Sequence, residues 1–163
     1  MTRTVLLMLV AGLVGCTSMN RYSGGDAAYM PVPCDAPAFT AADGKTYKPY
    51  VTLVEVDGSF IGSGHGCLSP YTYSLKPGQH RYKVASNLDS PSNSFIVYAI
   101  YEFNADIKPN TAYVLSSTFD GKEISTKIAE KSTGLVAGIG STTNIKISTK
   151  SNAALQALPF IVK

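Results

Sequence analysis

Short stretches of alternating apolar and polar residues, separated by turn residues, run through the chain from residue 50 onward. Residues 51–56 are rich in β-branched side chains and end at Asp57-Gly58, a dipeptide typical of tight hairpins. In residues 79–85, alternate positions place three side chains on one face of an extended chain: His80, Tyr82 and Val84. This period of two predicts half-buried β-strands rather than helices.

Further strands are predicted between turn signals along the rest of the chain, over residues 71–75, 95–103, 111–119, 122–130 and 143–149. Lys76-Pro77-Gly78 and Asp120-Gly121 supply residues that tight turns require. In the strand at 122–130 the inward positions are Ile124, Thr126 and Ile128. Residues 95–103 are apolar on both faces, so we expect that strand to be central and covered on each side. The spacing predicts an all-β, antiparallel sandwich of about seven or eight strands, with a closed barrel as the alternative.

Two C-terminal segments depart from this pattern. Residues 135–140 read Leu-Val-Ala-Gly-Ile-Gly, and two interpretations remain open: an exposed loop that binds a partner, or a buried strand of small residues that crosses another strand closely. Further on, Ser151 or Asn152 is suited to cap one short helical turn over residues 153–158, which Pro159 ends. Residues 160–162 are expected to form a last edge strand.

Residues 1–16 differ in composition from the rest of the chain. Arg3 precedes an apolar run over residues 5–14, which is typical of a secretory signal peptide and too short for a membrane-spanning helix. The run ends in Leu13-Val14-Gly15-Cys16, which resembles the lipobox of bacterial lipoproteins. That resemblance implies cleavage of residues 1–15, a diacylglycerol on Cys16 and, with Thr17 next, an outer-membrane anchor facing the periplasm. The alternative is an ordinary cleaved signal peptide with an incidental cysteine.

Cys34 and Cys67 are the two remaining cysteines. An even pair in an oxidising export compartment predicts a disulfide, which closes a loop of about 30 residues and stabilises the fold by about 3–4 kcal/mol. A metal or redox role is the alternative, although neither a C-x-x-C spacing nor a third and fourth metal ligand is evident in the sequence.

Residues 16–48 are predicted to form an extended tether, because they are rich in Gly, Ser, Pro, Ala and Asp and show no period. The sandwich domain is then expected at residues 49–163. The formal net charge is +3, and the loss of Arg3 on cleavage brings the remainder closer to neutral. We therefore expect no nucleic-acid partner. The oligomeric state is left open.

The order of strands and turns carries a second resemblance. Its segments are Val54-Glu55-Val56-Asp57-Gly58, Leu75-Lys76-Pro77-Gly78-Gln79-His80 and Tyr82-Lys83-Val84. They resemble the PEGA and carboxypeptidase-regulatory-like modules, and residues 107–115 resemble the later hairpin of those modules, with Asn110 where glycine is usual. The resemblance spans residues 51–130 and rests mostly on turn residues. It implies an Ig-like or transthyretin-like (prealbumin-like) sandwich that acts as a non-enzymatic scaffold or interaction domain.

Residues with catalytic or ligand chemistry are sparse. His65 lies in a glycine-rich run beside Cys67, which is typical of a hairpin or bulge, and no P-loop lysine or following helix accompanies it. His80 follows a turn and is expected to cap it or to pack against it. The sequence has no G-x-S-x-G elbow, and its acidic residues lie mostly in turns. We therefore expect no catalytic residues, no metal and no cofactor.

The ten tyrosines allow two interpretations. Tyrosine fills strand positions by propensity, and it also forms contact surfaces for proteins or glycans. The candidates are Tyr47, Tyr50, Tyr71, Tyr73, Tyr98 and Tyr101.

Two functions of different class follow. The first is an outer-membrane lipoprotein whose periplasmic sandwich binds another envelope protein, as a structural component of an envelope or secretion-type assembly. The second is a ligand-binding or lysozyme-inhibitor-type lipoprotein that uses the His65 loop together with Tyr71 and Tyr73. A third candidate, an envelope hydrolase, lacks a recognisable catalytic motif.

Overall fold

The computed structural model describes residues 22–31, 37–61, 72–90 and 95–149, and the regular elements in these ranges are all β-strands. The first are β1 (Ala28–Pro31), β2 (Phe39–Thr40), β3 (Thr46–Val56), β4 (Ser59–Phe60) and β5 (Thr72–Leu75). They are followed by β6 (Gly78–Asp89), β7 (Phe95–Ile107), β8 (Tyr113–Phe119), β9 (Ile124–Glu130), β10 (Val136–Thr142) and β11 (Lys146–Thr149).

The strands form two main antiparallel sheets and one small one. The larger sheet has the order β11-β7-β6-β3-β2, with β4 paired to β3, the second has the order β10-β9-β8, and β1 pairs with β5. A buried core has members in every sheet, such as Val84 on β6, Leu115 on β8 and Met30 on β1. The predicted all-β, antiparallel, sandwich-like fold is confirmed. The described residues form eleven strands, more than expected, because β1 and β2 lie in the segment predicted to be a tether and β10 overlaps residues 135–140, whose structure the sequence leaves open.

Two predicted hairpins lie where the turn residues place them. Asp57 and Gly58 join β3 to β4, and their φ angles of 51° and 78° are the positive values that a two-residue hairpin requires at both central positions. Asp120 lies in the turn between β8 and β9, where its Oδ1 accepts hydrogen bonds from the backbone N–H groups of Lys122 and Glu123, each at 2.8 Å. Short-range turn chemistry therefore sets both connections.

A layer of hydroxyl groups crosses the core. Ser86 on β6, Ser117 on β8 and Thr126 on β9 each lie along their strand between residues of two separate apolar clusters. Ser86 Oγ lies 2.9 Å from Ser117 Oγ and 2.8 Å from Thr126 Oγ1, and the hydroxyl of Tyr101 donates to Thr126 Oγ1. The hydroxyls satisfy one another, so burial of these polar groups is compensated. The inward orientation predicted for Ile124, Thr126 and Ile128 is confirmed, since all three are fully buried.

The sheets begin inside the segment for which the sequence predicts an extended tether. β1 and β2 both precede residue 49, and Ala28 and Met30 on β1 are fully buried. β1 is a strand because it pairs with β5, with Ala28 opposite Leu75. Because the pairing partner of β1 lies more than 40 residues away, the sequence around residues 28–31 shows no local pattern that predicts a strand.

The predicted coverage of β7 on both faces is wrong. Val97 and Ala99 face the core, whereas Ile100 on the opposite face is 46% exposed. The apolar outer positions are tolerated because one side of an antiparallel sheet can face water.

The C-terminal strand at 143–149 corresponds to β11, which pairs with β7 and places Ile147 opposite Val97. The helical turn predicted at 153–158 and the edge strand at 160–162 lie outside the described residues.

Candidate functional site

Asp57 fastens the β3–β4 turn to strand β6. Its backbone N–H donates to the carbonyl oxygen of Arg81 (2.8 Å), and its Oδ1 accepts a hydrogen bond from the backbone N–H of Arg81 (2.9 Å). Its Oδ2 lies 2.7 Å from Nδ1 of His80. The hydrogen bond from the Arg81 backbone, and then that from His80, lower the pKa of the Asp57 carboxyl. Asp57 is therefore ionised at neutral pH and holds the hairpin against β6.

His80 caps the turn between β5 and β6, as the sequence predicts. A carboxylate only accepts hydrogen bonds, so Nδ1 of His80 carries the hydrogen that points at Asp57. Nε2 lies 3.4 Å from the carbonyl oxygen of Pro77 in the turn. The ring meets that of Tyr82 edge-on, with centroids 6.3 Å apart and an angle of 82°. His80 thus joins the turn, the hairpin and the core.

A cleft of about 320 Å³ opens beside this pair. The segment before β1, the β3–β4 hairpin, β5 and the start of β6 supply its walls. Among the described residues, three tyrosines line it, Tyr22, Tyr73 and Tyr82, together with three aliphatic residues and six polar or charged ones. This volume is at the lower end of the range of small-molecule sites, about 300–1,000 Å³.

Tyr82 contributes to the cleft lining but belongs to the buried core. Its side chain is fully buried, and its ring packs against Phe103 with centroids 6.3 Å apart. Its hydroxyl has no hydrogen-bond partner within the part of the chain that the structure describes. Burial, and secondarily the charge of Asp57, raise the pKa of this hydroxyl, so it remains a protonated donor at neutral pH. An unsatisfied buried hydroxyl costs about 1–3 kcal/mol and calls for an explanation.

The residues singled out in the sequence have different outcomes. Tyr73 lines the cleft but is 4% exposed, and its hydroxyl donates to the carbonyl oxygen of Leu53 at 3.5 Å, so it is a wall and not an exposed contact. Five further residues singled out in the sequence lie outside the described residues: Cys16, Cys34, His65, Cys67 and Tyr71. The sequence did not single out Tyr22, Tyr82 or the pairing of His80 with Asp57. The one sequence feature that pointed toward this region was the placement of His80 and Tyr82 on the same face of the strand after the Pro77-Gly78 turn.

Strand β10 resolves the open question about residues 135–140. Leu135 is 58%, Val136 54% and Ile139 62% exposed, and we call these three side chains the β10 patch. A β-bulge between Val136 and Gly138 shifts the pairing with β9, which allows Val136 and Ile139 both to face solvent although they are three positions apart.

The glycines of β10 allow a close crossing of β7. A Cβ at Gly138 would lie 2.4 Å from both the carbonyl oxygen of Asn104 and the Cβ of Ala105, and one at Gly140 would lie 2.6 Å from the Cβ of Phe103. Each of the two interpretations is therefore correct in part, because the same strand crosses β7 closely and exposes an apolar surface.

Two other kinds of site are absent from the described ranges. No group of three or more His, Cys, Asp or Glu side chains there is placed to hold a metal ion. No helix in those ranges has the length and apolar character needed to cross a membrane.

Comparison with known proteins finds no match: neither a protein family, nor a curated protein, nor a solved structure is significantly similar to this chain.

Proposed function

We propose that this protein is a lipid-anchored, non-enzymatic binding module of the bacterial outer membrane, whose periplasmic β-sandwich contacts another envelope protein. The anchor is supported by the lipobox-like Leu13-Val14-Gly15-Cys16, which lies outside the described residues. The observation that carries the binding role is the β10 patch. Three large apolar side chains are exposed within residues 135–139, and burying them against a partner is favourable.

The geometry around the β10 patch favours contact through side chains. Gly138 and Gly140 of β10 lie against β7, so the side chain of Ile139 between them projects from the opposite face of the strand, away from β7. A partner surface with an apolar centre of its own fits this arrangement. The near-neutral charge expected after cleavage agrees with recognition by apolar burial rather than by long-range charge.

The non-enzymatic role is supported by the structural part that the His80–Asp57 pair plays, the only His–Asp pair in the described residues. Both oxygens of Asp57 accept hydrogen bonds from β6, and Nδ1 of His80 is occupied by Asp57. The pair therefore stabilises a turn.

The anchor is tested by Cys16→Ser in the full-length chain. We expect this variant to leave the membrane fraction, because it lacks the thiol that carries the lipid. Cys34→Ser is the matched control, since it changes a cysteine outside the motif and should stay in the membrane. Membrane retention of Cys16→Ser would refute the anchor.

The partner is tested by a photo-crosslinking residue placed at Ile139 in cells, with Lys122 in the β8–β9 turn as the exposed control position. We expect one crosslinked protein of defined mass from position 139 and none from 122. That protein, once purified, should bind the wild-type chain at least about tenfold more tightly than a Leu135→Ser, Val136→Ser variant. A crosslink only to lipid or to a second copy, or equal binding of both forms, would contradict the proposal.

The second candidate function, binding of a small ligand, rests on the cleft. The volume of the cleft and its partly aromatic lining favour it. The version that relies on His65 and Tyr71 stays a prediction.

A further inference from the structure

We propose that the protein partner of the β10 patch places a carboxylate against Lys127, in a contact that is otherwise apolar or hydroxyl-bearing. This inference rests on the proposed contact of the β10 patch and adds the charge chemistry of the partner. The partner is therefore a protein other than a second copy of this chain.

The β10 patch belongs to a wider surface, the outward side of the sheet formed by β8, β9 and β10. The alternate residues of β8 and β9 are buried, which assigns the residues between them to this outward side. The strand pairings set its residues opposite one another in three rows, which are Val114, Ala129 and Val136, then Ser116, Lys127 and Ile139, then Thr118, Ser125 and Ser141. We call these nine positions the outer face.

The chemistry of the outer face changes from row to row. Val114 is 40% and Val136 54% exposed in the first row, and the third row carries only hydroxyl groups. Lys127, in the centre of the middle row, is the only charged residue of the nine. A partner that buries Val114 on β8 and Ile139 on β10 spans β9 between them, and it therefore covers Lys127.

Lys127 has no carboxylate partner within the part of the chain that the structure describes. The lysines there that pair with carboxylates lie elsewhere, at Lys45, Lys83 and Lys108. Water solvates the ammonium of Lys127 in the free protein, because this residue is exposed. An ammonium that a partner covers loses this solvation, and a carboxylate on the partner compensates the loss.

The same charge argues against two other occupants of the outer face. A second copy that met this chain through the same face would bring the same nine residues, which include no carboxylate, and would place two lysines in one contact. Anionic lipid surfaces are recognised by clusters of about four to eight basic residues, whereas the outer face has Lys127 alone. A protein with a carboxylate beside apolar side chains fits this face best.

The test measures the yield of the protein photo-crosslinked from position 139 in cells, relative to the amount of full-length chain in the membrane fraction. Lys127→Met removes the charge but keeps a long, flexible side chain, so it should lower the yield at least about fivefold by leaving the carboxylate of the partner unpaired. Lys127→Arg keeps the charge and should retain most of the yield. Lys122→Met, in the exposed β8–β9 turn, is the matched control and should crosslink like the wild type.

A carbodiimide locates the carboxylate itself, because this reagent joins an amine to a carboxylate in direct contact. Treated membranes should yield a peptide pair in which Lys127 is linked to an Asp or Glu of the same crosslinked protein. Replacing that Asp or Glu by its amide should lower the yield as much as Lys127→Met does, and the two changes together should cost little more than either alone.

The inference is overturned if Lys127→Met crosslinks as well as the wild type or better, since a purely apolar contact gains from methionine at this position. In that case a Leu135→Ser, Val136→Ser variant that still loses the adduct would leave the proposed contact of the β10 patch intact. If this double variant also keeps the full yield, the proposed contact itself is refuted. An adduct with a second copy, or with lipid alone, would refute both.

Discussion

Ser86 on β6 and Thr126 on β9 join the two main sheets through a hydrogen bond of 2.8 Å between their side-chain oxygens. Ser117 and Tyr101 complete the buried hydroxyl layer around them. Each hydroxyl satisfies its neighbours away from water, so the layer depends on all of its members. It also favours one alignment of the sheets, because a shift of either sheet along the other would leave hydroxyls opposite apolar groups.

Thr126→Val is expected to lower the free energy of unfolding by about 1–3 kcal/mol, because valine keeps the shape of threonine while Ser86, Ser117 and Tyr101 lose their shared partner. Urea denaturation measures the loss. Thr118→Val, at an exposed position of the adjacent strand β8, is the control and should change stability by less than about 0.5 kcal/mol. Equal effects of the two substitutions would argue against the layer.

Gly138→Ala is expected to destabilise the fold by about 1–3 kcal/mol, because the added methyl group collides with the backbone of β7 at Asn104. Gly25→Ala is the matched control, since no atom lies within 4 Å of its added Cβ. Thermal unfolding followed by circular dichroism measures both. If β10 is held against β7 as described, only the first variant should unfold at a lower temperature.

Acid is expected to weaken the fold in part through Asp57. The pKa of this carboxyl is lowered in the folded state, first by the Arg81 backbone hydrogen bond and then by His80, so the unfolded chain binds the proton more readily. The stability from Asp57 is thus present above its unfolded pKa of about 4 and is lost as the pH falls through the lower folded value. Urea denaturation between neutral pH and about pH 2 measures the free energy of unfolding. This free energy should fall less steeply with decreasing pH in Asp57→Asn than in the wild type. An identical pH slope would show that Asp57 makes no such contribution.

Cys34 and Cys67 are expected to form the disulfide that the sequence predicts. The register of the described strands leaves this pairing possible, because Pro31 at the end of β1 lies opposite Thr72 at the start of β5. The cysteines follow and precede these positions by only a few residues, within reach of an extended chain at about 3.3–3.6 Å per residue. Mass spectrometry of the unreduced protein should detect the linked peptides, and Cys34→Ser should lower stability by about 3 kcal/mol. Free thiols at both positions would contradict the pairing.

The sequence by itself determined the class of fold and its hairpins. Alternation in β6 and β9 predicts which residues share a face, and Asp57-Gly58 and Asp120-Gly121 predict two turns, because each of these signals depends on residues close together in the chain. The lipobox-like motif at Cys16 is equally local, and it carries the proposed location without any structure.

Tertiary structure decided which of these elements meet. The pairing of β1 with β5, the crossing of β10 over β7 and the meeting of His80 with Asp57 all join residues distant in sequence, and no local period encodes such a partner. The exposure of Ile139 and the unpaired hydroxyl of Tyr82 depend in the same way on what packs nearby. The proposed contact surface on β10 therefore arises from packing between strands, and an apolar residue in the sequence becomes available to a partner only when its neighbours leave it exposed.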